Sequence, residues 1–169
     1  MKVFGFAWGI GGILLLLIFA IYRLAPMALA LEDSPLTTIH WAALVFSILY
    51  MAYAEGYKGF HRGFAPRVVI RASYLGEHPR LSHLLFAPLF CMGYFHATRK
   101  RQLMSIGLSL MILCFVLIAR LLPQPWRGIV DAGVVTGLLI GIASIVYFMI
   151  VIMRNPGSVA VSPEVPGEL

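Results

Sequence analysis

Charged side chains are spaced along this chain so as to leave five long stretches free of Asp, Glu, Lys and Arg. These are Val3–Tyr22, Leu36–Ala54, Leu81–Thr98, Gln102–Ala119 and Ala132–Met153. None shows the period-two alternation of a half-buried strand or a membrane-barrel strand. A helix rises about 1.5 Å per residue, so about 20 apolar residues cover a hydrocarbon core of roughly 30 Å. Each stretch therefore reads as a membrane helix, because in lipid the backbone must satisfy its own hydrogen bonds.

Punctuation between the runs agrees with this reading. Pro26 and Pro35 bracket an acidic loop holding Glu32 and Asp33, and Pro123-Gln124-Pro125-Trp126 forms a turn with an interfacial tryptophan. Met1-Lys2 followed by an apolar run resembles a signal peptide, and Ala28-Leu29-Ala30 offers a cleavage site. The first run exceeds a signal's apolar region, however, and Arg23 interrupts the approach to that site. An uncleaved first membrane helix is expected.

The third run decides the topology. If all five runs cross and the N-terminus is inside, the basic residues divide eight inside to five outside. If Leu81–Thr98 enters and returns on one side, they divide ten to three, the stronger positive-inside bias. Pro88 and Gly93 within that run also weaken a straight helix. The expected fold is all-α: a polytopic membrane bundle over residues 1–154 with four spanning helices and one re-entrant or short fifth helix. Five spans are the alternative. Residues 155–169, small, polar and proline-rich, read as a disordered tail.

Composition sharpens the class. The 169 residues are 60% hydrophobic and 12% charged, with mean hydropathy +0.90, which excludes a soluble domain because its surface would lack polar cover. The net charge of +6 falls between apolar runs, which points to phospholipid headgroups and topology signals and not to nucleic acid. Cys91 and Cys114 sit in apolar runs without CxxC spacing and read as buried thiols.

Four groups of residues carry candidate chemistry. Gly133-xxx-Gly137-xxx-Gly141, extended by Ser144, strips side chains from one helix face, and Gly5-xxx-Gly9 with Gly12 is a shorter version. Such faces admit a partner backbone, either within the bundle or in a homo-oligomer or membrane complex. Residues 55–80 read as a basic cytoplasmic loop, in which Lys58, Arg62, Arg67, Arg71 and Arg80 contact anionic headgroups or an acidic partner. Pro66 opens a short amphipathic helix there, with Val68, Val69, Ala72 and Leu75 toward lipid.

Glu55 closes the second run and is a candidate proton site with Arg62 as a plausible counter-ion. Histidines form the fourth group. An antiparallel hairpin of the second and third runs would level His40 with His96 and His61 with His83, the bis-imidazole arrangement of a b-type haem. His78 and His83 have H-x4-H spacing without the further boxes a di-iron site requires, and no metal site is expected. Catalytic and nucleotide fingerprints are lacking, and Asp131 suits a helix N-terminus.

The leading expectation is a non-enzymatic accessory, assembly or scaffold subunit that packs through glycine-rich faces and carries no cofactor. It is placed in a bacterial cytoplasmic membrane with its N-terminus inside. A haem electron-transfer protein and a small transporter or channel component are the alternatives.

Overall fold

A computed structural model describes residues 2–77 and 84–155. Every regular element among them is helical: α1 (Lys2–Leu29), α2 (Thr38–Met51), a π-helical segment (Ala52–Phe64), α3 (Ala65–Glu77), α4 (Ala87–Met92), α5 (Arg99–Leu121) and α6 (Trp126–Arg154). Three of these, α1, α5 and α6, are long and apolar enough to cross a bilayer. The expected tail after Asn155 and the candidates Arg80 and His83 lie outside the described residues.

The second helix departs most from the sequence reading. Ala52 and Ala65 both keep right-handed helical angles, so α2, the π segment and α3 form one unbroken rod from Thr38 to Glu77. Residues 55–77 of the stretch expected as a basic loop are therefore helix. Two features of its sequence account for the wide winding. Gly56, Gly59 and Gly63 remove side-chain crowding, and Pro66 cannot sit over the carbonyl four residues back without a clash. Widening the preceding turns, with Ala65 N–H donating to Phe60 O, relieves that clash and keeps the rod continuous.

Chain direction follows from close contacts. A Cβ at Gly9 would lie 2.8 Å from Cys91 Sγ and 3.7 Å from Ala72, and one at Gly5 3.3 Å from Leu75 O. The N-terminal half of α1 thus packs on α3 and α4, while its far end meets the start of α6, where Met27 O lies 2.8 Å from a Cβ built on Gly128. Consequently α1 runs antiparallel to both the rod and α6. The core gathers at the end where α1 begins: Ile10, Ile13, Val68, Val69, Ala72, Leu75, Phe90, Cys91 and Ile145 are nearly inaccessible. Val68, Val69, Ala72 and Leu75, expected toward lipid, are instead its centre. The glycines of α1 and the small residues of α4 let that face of α3 be covered.

Residues 84–98 do not build a helix of crossing length. Pro88 stands at the start of α4, and Gly93 ends it in the left-handed region (φ 84°). Tyr94 N–H donates back to Leu89 O at 3.1 Å, closing the last turn as glycine-terminated helices commonly do. Carbonyls within and beyond α4 accept hydrogen bonds from other helices. Arg71, 2% exposed, donates from Nε to Phe90 O (2.8 Å) and from Nη2 to Phe95 O (3.3 Å) and His96 O (3.1 Å). Its guanidinium carbon lies 4.4 Å from the Phe90 ring centroid. From α5, Ser105 Oγ donates to Met92 O at 2.8 Å.

Replacing Arg71 with Met keeps the stem but removes the charge-assisted hydrogen bonds that Phe90 O, Phe95 O and His96 O accept from the guanidinium, each contributing roughly 1.5–3 kcal/mol. A stability loss of about 3 kcal/mol or more in detergent is expected, with Arg71→Lys intermediate because a point charge serves fewer acceptors. Alkylation of the buried Cys91 thiol reads out the loosening: it should be slow in the parent and fast in Arg71→Met.

Candidate functional site

The contact between the rod and α6 holds most of the chain's candidate chemistry. A Cβ at Gly133 would collide with Ser47 Oγ and lie 2.9 Å from Ser47 O. At Gly137 it would lie 2.9 Å from Glu55 Oε2 and 3.2 Å from Glu55 Cβ, and at Gly141 2.7 Å from the Phe60 ring. In the reverse sense a Cβ on Gly56 would meet Ile140 at 2.8 Å. One turn on, His61 Nδ1 and Ser144 Oγ are 3.2 Å apart. The two helices therefore run in the same direction, with Ser47, Glu55 and Phe60 of the rod laid along the α6 glycines. Gly133, Gly137 and Gly141 are covered by their own chain, as Gly5 and Gly9 are by α3 and α4.

This register sets axial positions that the sequence did not suggest. The charge-free run of α6 spans Ala132–Met153, with its middle near Ile142 and Ala143. Glu55 faces Gly137, and Phe60 faces Gly141. Lys58 lies between them, and Arg62 follows the His61–Ser144 contact. At about 1.5 Å per residue, Lys58 and Arg62 stand within roughly 4 Å of that middle. Glu55 is deeper along α6 than the edge position its place in the sequence implies. Its half-buried side chain packs on Gly137, and among the described residues no hydrogen bond or ion pair reaches the carboxylate.

The wide winding also arranges the outer face. Lys58 Nζ sits 5.0 Å from the Tyr53 ring centroid, and the Arg62 guanidinium carbon sits 6.0 Å from that of Tyr57. Both pairs are five residues apart. In an α-helix such positions diverge by about 140°, whereas an i→i+5 ladder brings them over one another. Tyr53 stacks on Tyr57, and Tyr57 on His61. Arg62 is thereby drawn to an aromatic ring and away from Glu55, its expected counter-ion.

The remaining candidates separate. His40 closes the N-terminus of α2, where its Nδ1 accepts from Thr37 N–H at 3.2 Å and its ring meets Trp126 edge-on at 5.1 Å. His96 is at the opposite end of the rod, in a left-handed conformation (φ 49°) against Phe90. The structure does not bring these two together, because the hairpin that would have levelled them is broken at Gly93. Arg71 is turned into the core and Arg67 is half-buried on α3, so neither sits on a free loop. Asp131 is buried in the early turns of α6, 3.7 Å from Arg127 Nε.

No family model, curated protein or solved structure matches this chain.

The glycine face yields a direct test. Gly137→Ile pushes a branched side chain into Glu55 and should destabilise the bundle by about 1–3 kcal/mol or more, as overpacking does. Gly107→Ile, where a Cβ meets open space on α5, should leave the thermal midpoint in detergent within error of the parent.

Proposed function

We propose that this chain is a non-enzymatic accessory or assembly subunit of a membrane complex. It crosses the bilayer four times through α1, the rod, α5 and α6, and the α4 region enters and returns on one side. The observation that carries this reading is the state of α5. From Leu103 to Leu121 it is apolar but for Ser105, Ser109 and Arg120, yet only Ser105 and Ala119 are buried against the rest of the chain. The other spans are held by glycine contacts, whereas α5 is tethered mainly at its start, through Ser105 and the Tyr94–Ser109 hydroxyl pair. A helix so lightly packed at home is suited to association with other membrane helices.

Charge supports the orientation. Lys2, Arg99, Lys100, Arg101 and Arg154 gather at the end where α1 and α5 begin and α6 finishes, against Arg23, Arg120 and Arg127 at the other. By the positive-inside rule the first end is cytoplasmic. Reporter fusions after Arg101 and after Arg154 should both read the cytoplasmic side, and an external result at Arg101 would overturn four crossings. For assembly, the chain extracted in mild detergent should migrate well above its 18.7 kDa, and cross-linking in native membranes should give the same heavier species. A monomer in both assays overturns the subunit reading.

Glu55 favours one second reading, a proton-coupled transport component. A carboxylate packed on a glycine inside the apolar run is where such proteins place a proton relay. Proton flux into liposomes that vanishes in Glu55→Gln would support it, and equal flux with and without the protein would dismiss it.

A further inference from the structure

The outer face of the π segment presents Tyr53, Tyr57, Lys58 and Arg62, all exposed. Packing of this segment comes from α6 and from the flanking turns of its own rod. No carboxylate among the described residues pairs with Lys58 or Arg62, whose nearest partners are the two tyrosine rings. The α6 register puts both cations near the middle of a helix that is long and apolar enough to cross a bilayer. A cation facing acyl chains at that depth costs about 3 kcal/mol or more, of which an aromatic ring offsets roughly 1–2. Half the hydrocarbon core is about 15 Å, farther than either stem carries its charge to the headgroups.

We propose that this face docks a membrane helix of a different protein, one that carries an aspartate or glutamate at mid-span. The proposal rests on the subunit reading above and names the chemistry of the partner. Charge complementarity selects the occupant. Symmetric contact with a second copy sets cations against cations, and this chain's own carboxylate on the segment, Glu55, is turned the other way, onto Gly137. A lipid phosphate stays at the interface, too far from Lys58 and Arg62. A carboxylate between the two cations would complete charge-assisted hydrogen bonds with both. Tyr53 and Tyr57 would supply flat apolar contact on either side. The face depends on the π winding, since an α-helix would turn Lys58 and Arg62 away from their tyrosines.

The test places a photo-reactive benzoylphenylalanine at Tyr53 of the full chain in native membranes, with Leu110 on α5 as the comparison site. Illumination at position 53 should yield an adduct whose cross-linked peptide lies in a transmembrane segment bearing Asp or Glu. Lys58→Gln with Arg62→Gln should lower its yield tenfold or more, and so should neutralising the partner's acid. Unaltered Cys91 protection shows that the double variant remains folded. Adducts only to lipid, to a second copy, or to a segment without an acid overturn the proposal, as does a yield indifferent to the two substitutions. If the partner is still recovered through position 110 while position 53 fails, the subunit reading survives and this inference does not. Failure at both positions removes both.

Discussion

Close approach of the rod to α6 is the contact on which the rest of this structure depends. Three glycines spaced four apart allow Ser47, Glu55 and Phe60 to rest against the α6 main chain, where any side chain would intrude. Without a hydrophobic driving force between helices in lipid, such van der Waals contact is what holds helices together. The register it imposes has two consequences. Level with the middle of α6, it sets a segment carrying Glu55, Lys58, His61 and Arg62. Beyond that level it delivers α3 into the space between α1, α4 and the end of α6, where the core forms.

Arg71 closes that core. A broken helix such as α4 leaves carbonyls that water would ordinarily satisfy, and in a buried setting each would be costly. One guanidinium reaches Phe95 O and His96 O beyond the break and adds a second donor to Phe90 O within α4, and its planar fork suits a cluster of acceptors better than a lysine would. The charge is thereby converted from a surface signal into a structural cross-brace. Sequence position alone gave Arg71 and Arg62 the same role, yet one is buried in a cage of carbonyls and the other stands exposed over a tyrosine.

The proposed function rests on what the bundle leaves uncovered. With the glycine faces of α1 and α6 occupied internally, surfaces available to a partner are the apolar sides of α5 and the cationic, aromatic side of the π segment. Those two surfaces differ in kind. The first suits any close-fitting helix, whereas the second selects by charge, which is the discrimination that the proposed assembly role requires. Close packing and the brace at Arg71 keep the second surface in a fixed geometry.

Much of the architecture was legible in the residues alone. Five charge-free runs dictate helices, because lipid leaves the backbone no other partner. Pro88 and Gly93 dictate that the third run breaks, and glycines four apart dictate intimate helix contact. Each is a local constraint, settled within a few turns of chain. Which helix fills the glycine face, how deep Glu55 and Lys58 lie, and that Arg71 turns inward are relations between segments far apart in sequence. A run of polar residues after an apolar one reads as a loop, since polarity is normally solvated. Here the polar stretch continues as a widened helix, its cations resting on tyrosines and its far end buried by small residues of α1 and α4. Only the packed bundle decides that, because the alternative partners of each polar group are supplied by other helices.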